Sequence, residues 1–149
     1  MKKFFIISIT ILIGSIMLSS YSSKLEEKLF YNQGFFGASF LYQTYFTIGM
    51  ASDAWTQGSY TFENTQTILQ TSVNFLDLSV KTLKELTLFS ITTDDRNTLL
   101  QMIDIASDLK NQGSFMIQYM SSKNKQDLDN YELNRKQAWE KISNLMDLK

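Results

Sequence analysis

LQTSVNFLDLSVKTL, residues 69–83, sets Leu69, Val73, Leu76, Val80 and Leu83 at steps of four, three, four and three. Side chains at that spacing share one side of an α-helix, because the helix turns once in about 3.6 residues. Gln70, Thr71, Asn74 and Lys81 lie between them, with Lys84 and Glu85 just beyond, so one face is apolar and the other wet. The same rhythm recurs on both sides. Leu41, Thr44, Ile48, Ala51, Trp55, Gly58 and Phe62 make an earlier stripe, and Leu99, Met102, Ala106, Leu109, Gly113, Met116 and Met120 a later one. Tyr131, Ala138, Ile142 and Leu145 mark a last stripe, flanked by Leu128, Trp139 and Met146 and interrupted by Arg135.

Breaks fall where polar start signals cluster. Ile91-Thr92-Thr93-Asp94-Asp95 offers a threonine N-cap followed by carboxylates that suit the positive end of the helix dipole. Ser121 to Asn124 offers a turn and another cap, and Asn64 is the best cap within Glu63-Asn64-Thr65. The expected helices are 35–62, 65–89, 94–121 and 124–147. Similar lengths and short connections predict an all-α, up-down-up-down four-helix bundle over residues 35–149. The chain contains no proline, which agrees with long uninterrupted helices.

One phrase is written twice. ASDAWTQGSY (51–60) and ASDLKNQGSF (106–115) share A-S-D, Q-G-S and a final aromatic at an offset of 55. A tandem duplication of a helical hairpin would map the first helix onto the third in this way, although the match outside the phrase is poor. Ala51 with Gly58, and Ala106 with Gly113, set small residues on each buried stripe, where they let helix backbones approach closely. The rival reading makes each glycine a C-terminal helix cap.

Ahead of the bundle, Met1-Lys2-Lys3 precedes an apolar run of 15 residues, Phe4 to Leu18, and then small residues through Ser22 and Ser23. This is the pattern of a secretory signal peptide over residues 1–22, with Ser20 and Ser22 as the small residues before the cut. The alternative is an uncleaved N-terminal anchor, although a spanning helix ordinarily needs about 20 apolar residues. Residues 23–34 form an N-terminal segment with helical spacing of Leu25, Leu29 and Phe30. The expected location is periplasmic or extracellular, with inner-membrane anchoring as the alternative. Removing Lys2 and Lys3 leaves twelve basic and fifteen acidic side chains, a net charge of −3. No long basic run supports nucleic-acid binding.

Histidine and cysteine are both absent. That removes the commonest general base, thiol nucleophiles, disulfides and thiolate or imidazole metal sites. Phosphate-binding glycine motifs are missing too. No cofactor and no metal are expected, and a non-catalytic role is the reading. Asp53 with Gln57, and Asp108 with Gln112, sit at i and i+4; the plain expectation for both is a solvent-facing pair, and the sharper alternative is a set of quasi-symmetric ligand contacts. The stronger signal is aromatic. The side of the first helix opposite its buried stripe carries Tyr42, Phe46, Gly49, Asp53 and Tyr60, whereas the matching positions of the third helix are mostly polar. Tyr42, Phe46, Asp53 and Tyr60 are therefore the expected partner-binding residues, since a helix apolar all round needs a cover. That cover would be the segment Lys24 to Phe36, a second copy of the chain, or a foreign protein or apolar ligand. The alternative function is a carrier or sensor of a small apolar ligand, held between helices by Trp55, Met102, Met116 and Trp139.

Overall fold

The computed structural model describes residues 28, 32, 34–89 and 91–148. The chain divides into two compact units, 1–35 and 36–149. The expected signal peptide or anchor, residues 1–22, lies outside the described residues. Of the segment 23–34, Lys28, Asn32 and Gly34 are described, and all are helical. Among the described residues there are four α-helices and no strand: α1 over residues 34–56, α2 Phe62–Leu86, α3 Thr93–Ser122 and α4 Lys125–Leu145. The protein is an all-α helical bundle.

The starts of α2, α3 and α4 each have a side-chain cap that satisfies an otherwise orphaned backbone N–H. Thr92 accepts from the Asp95 N–H at 3.1 Å and donates its hydroxyl to Asp95 Oδ2 at 2.6 Å. Asn124 accepts from the Gln126 N–H at 3.0 Å. At the start of α2 the cap is Thr61, which accepts from the Asn64 N–H at 3.2 Å. Asn64 itself is therefore inside the helix, and α2 begins three residues before the expected 65.

α1 ends at residue 56, short of the expected 62, because Gly58 turns the chain with φ +74°. The Ser59 N–H returns to Ala54 O at 2.8 Å and the Gly58 N–H to Trp55 O at 2.9 Å. Those two bonds make a Schellman cap, in which glycine takes the left-handed backbone that side chains disfavour. Gly113 behaves differently. It is buried inside α3, where a Cβ would meet Val73 Cγ2 at 3.0 Å and Ile48 Cδ1 at 3.7 Å. The two copies of the phrase thus answer both readings: a cap in the first, close helix packing in the second.

The core follows the stripes. Leu41, Ile48 and Ala51 of α1 meet Leu69, Val73 and Leu76 of α2, and Tyr131, Ala138 and Ile142 come from α4. α3 supplies Leu99, Met102, Ile105, Ala106, Leu109, Met116 and Met120. Both α2 and α4 pack along it. Where Arg135 interrupts the α4 stripe, Asn134 takes the inward place and donates to Asn130 O at 2.8 Å.

One level of this core is polar. Ser52, Gln112 and Tyr131, from α1, α3 and α4, are all buried. Ser52 donates to Ile48 O at 2.7 Å. The Tyr131 hydroxyl lies beside Ser52 and Gln112 but falls short of hydrogen-bond geometry with either, and both amide atoms of Gln112 are without a partner. Burial raises the Tyr131 pKa above its ordinary value, against smaller opposing effects of Ser52, Arg135 and Gln112.

Candidate functional site

α1 and α4 together build an aromatic cluster. Helical spacing puts Tyr42, Tyr45 and Phe46 on the side of α1 that adjoins α4, and α4 contributes Trp139. The Trp139 ring centroid lies 5.3 Å from Tyr45, 6.3 Å from Phe46 and 6.4 Å from Tyr42. Phe46 stands edge-on to Tyr42 at 4.8 Å and to Tyr45 at 5.4 Å. Edge-to-face rings at such distances attract beyond simple burial. Phe46 is 40% exposed and Trp139 38%, so the cluster is anchored below and open above.

One turn further along, Arg135 crosses from α4 to α1. Its Nη1 lies 3.8 Å from Asp53 Oδ1 and 3.9 Å from Glu132 Oε1. Gly49 lies under the crossing, where even a Cβ would stand at an ordinary contact distance of 3.9 Å from Arg135 Nη2. Burial on its own would lower the Arg135 pKa; Tyr131, Tyr45 and Asp53 outweigh it and raise the value instead. The guanidinium is a permanent cation beside the rings, and Met50, adjoining Gly49 in the chain, is exposed.

The expected binding residues therefore divide. Tyr42 and Phe46 join the cluster, and Asp53 pairs with Arg135 at its border. Tyr60 lies beyond the end of α1, exposed in the connection to α2. Part of the cover is α4 of the same chain, which was not among the covers expected, and under it Tyr42 is half-buried and Gly49 buried. No known protein-family model, curated protein or solved structure matches this chain. What the face does must be read from its own chemistry.

The expected ligand-pocket residues are not brought together. Met102 and Met116 are core members, 1% and 2% exposed. Trp139 belongs to the cluster just described. Trp55 stands edge-on to Tyr119 at 6.1 Å, with Lys123 Nζ 3.9 Å above its ring, a cation–π contact near the other end of α4.

Two cavities have other linings. A groove of about 380 Å³ between α1 and α2 is walled by Gly37, Phe40, Leu41, Leu78, Thr82 and Leu83, among others. A smaller one of about 240 Å³ lies between α3 and α4, against Gln101, Asp104, Ile105, Lys141, Asn144 and Leu145. In it Lys141 Nζ reaches both Asp104 Oδ2 and Asp108 Oδ2 at 2.7 Å. Burial alone would depress the lysine pKa; the two carboxylates outweigh it and raise it.

Asp108 and Gln112 are both buried, so they are not the solvent-facing pair expected, whereas Asp53 and Gln57 are exposed. The inward turn of Asp108 and Gln112 follows from their places three residues after Ile105 and Leu109, in register with the core stripe. Spacing, not polarity, was the signal for it. Among the described residues no group of three metal-ligating side chains gathers, and the Asp104–Asp108 pair is occupied by Lys141.

Proposed function

We propose that this is an exported, non-catalytic bundle of up-down-up-down order that binds another protein through the face shared by α1 and α4. The observation that carries the reading is the open aromatic cluster: Phe46 and Trp139 half-exposed, seated on Tyr42 and Tyr45, with the Arg135–Asp53 pair at one border. Rigid rings held by their neighbours lose little entropy on contact, and aromatic and arginine side chains carry much of the energy of protein interfaces. A second copy of the chain is one such partner. The carrier alternative has less behind it, because its four lining residues are dispersed between core and separate aromatic contacts.

The reading predicts where a photo-crosslinker will react. With p-benzoyl-phenylalanine at position 46, the native envelope fraction should give one discrete adduct. The same group at position 75, exposed on α2, should give none, and Trp139→Ala should abolish the adduct at 46. An adduct of twice the chain mass identifies a homo-oligomer. Equal, diffuse labelling at both positions would overturn the binding face.

A further inference from the structure

α1 carries a second periodic stripe, outside the core. Phe36, Phe40, Gln43, Thr47, Met50 and Ala54 follow at steps of four, three, four, three and four, the heptad spacing of a helix seam. Leu41, Ile48 and Ala51 take the buried side of the helix, so this stripe is left on the outer side. Phe36 is 69% exposed, Met50 63% and Phe40 37%, and Gln43 and Thr47 are exposed between them. The stripe is also without charge. Asp53 is the one charged residue in 34–56, and Arg135 engages it. The exposed sides of the other helices mix both signs, as with Lys81 and Glu85 on α2, Arg96 and Asp94 on α3, and Lys136 and Glu140 on α4.

An uncharged seam restricts what can lie on it. A charged surface laid there would lose its hydration and gain no counter-ion, which disfavours contact. The same stripe on a second copy brings no charge, and its order of side chains fits itself when reversed. The steps are alike in both directions, so an antiparallel pair sets Phe36 against the partner's Ala54, Phe40 against the partner's Met50 and Gln43 against the partner's Thr47. Large then meets small, and amide meets hydroxyl at the centre. The Thr47 hydroxyl donates to Gln43 O of its own helix at 2.9 Å, which leaves its oxygen to accept from the partner's Gln43 amide. A parallel pair would instead crowd Phe36 against the partner's Phe36 at one end and leave alanine facing alanine at the other.

We propose that a second copy of this chain docks antiparallel on the outer side of α1, about a two-fold axis level with residue 45. The inference rests on the proposed binding role of this side of α1 and names its partner. Phe46 and Trp139 flank the seam on the α4 side, so the axis brings Phe46 beside the partner's Phe46 and joins the two aromatic clusters. The exposed parts of Phe36, Phe40, Phe46, Met50 and Trp139 amount to about 500 Å² on each copy, at the areas usual for such side chains. Both copies together reach the roughly 1,000 Å² that a specific interface needs.

Because the chain has no cysteine, disulfides can report the register. Full-length Phe40→Cys and Met50→Cys chains, differently tagged, are co-expressed, and the envelope fraction is mildly oxidised. A disulfide needs Cβ atoms about 4 Å apart. Mixed 40–50 dimers should exceed 40–40 and 50–50 dimers several-fold. Adding Thr47→Glu, at an exposed position, to both chains should abolish them with helix content unchanged by circular dichroism. Equal yields of all three dimers would mean random collision, and 40–40 and 50–50 dimers alone a parallel pair; either overturns the proposal. So does the absence of any disulfide dimer. In that case a discrete adduct of foreign mass from p-benzoyl-phenylalanine at 46 leaves the binding face standing with another partner, whereas no adduct there removes the face as well.

Discussion

The Trp139 ring lies 5.3 Å from that of Tyr45, tilted by 32°, so the α4 tryptophan is seated on α1 across 94 residues of chain. The contact closes the last helix onto the first and leaves the outer edge of the indole in water. Trp139→Ala should cost about 1–2 kcal/mol in urea unfolding. That is less than the roughly 3–5 kcal/mol of a fully buried tryptophan, because part of the ring is already hydrated. Trp139→Phe should recover at least half of the loss. A loss below about 0.5 kcal/mol would mean that the cluster contributes nothing to the bundle.

The two glycines of the repeated phrase should respond oppositely to their neighbours. Gly58→Ala meets open space yet forces a side chain into left-handed backbone, and should destabilise by about 1 kcal/mol. Gly58→Asn should cost less. Gly113→Ala gains helix propensity but presses on Val73 Cγ2 at 3.0 Å. Its effect should therefore couple to Val73→Ala, with the double variant more stable than the sum of the singles by about 0.5 kcal/mol or more. Additivity within error would show that the crowding is absent.

Lys141 and Lys110 each bridge to α3 or α2 at 2.7 Å, but in different surroundings. Lys110 and Asp77 are both exposed, so Lys110→Ala should change stability by no more than about 0.5 kcal/mol. Lys141→Ala leaves Asp108, 13% exposed at its side chain, without its cation, and should cost about 1–2 kcal/mol. Chemical denaturation of the two variants side by side decides it; equal losses would make the Asp108 environment no different from the surface.

Alkaline pH should weaken the fold through two groups. The Lys141 pKa is raised above its ordinary 10.5, so its stabilisation is complete below that value and is lost as pH climbs through the folded-state value. The Tyr131 pKa is raised above 10.0; the folded state holds the neutral phenol, and ionisation at higher pH favours unfolding. Both act in the same direction. The thermal midpoint should stay level through neutral pH and fall above about pH 10, and Tyr131→Phe should make the decline shallower. An unchanged slope in Tyr131→Phe would assign the whole effect to Lys141 and other exposed groups.

Gln112 is fully buried with neither amide atom paired. Gln112→Met keeps the length of the side chain and removes both orphan groups. It should raise stability by about 1–2 kcal/mol in equilibrium unfolding, since a buried polar group without a partner costs about that much. Destabilisation instead would show that interior water or a polar ligand satisfies the amide.

Periodicity made the helices and their inward faces legible. Leu69, Val73 and Leu76 are buried as their spacing requires, and a threonine caps α3 as the carboxylates after it suggest, Thr92 being the one of the two that does so. The identical words around Gly58 and Gly113 hid a difference that the residues just after each glycine decide. Ser59-Tyr60-Thr61 leads into a new cap, whereas Phe115, Met116 and Met120 continue an apolar stripe. A stripe also names a face without naming the helix that covers it. The aromatic character of the α1 face is plain in its residues, yet its meeting with Trp139 and Arg135 depends on the order of helices in space, which spacing along one helix does not contain. Gln112 and Asp108 were hidden for a third reason: residue type argued outward while register argued inward, and register prevailed.

α3 supplies more of the buried apolar side chains than any other helix among the described residues, but comes third in the chain. A polypeptide growing from its amino end therefore cannot seal Ile48 or Leu69 until Gly113 and Met116 have been synthesised. Until then the α1–α2 hairpin lacks the helix that packs on those side chains.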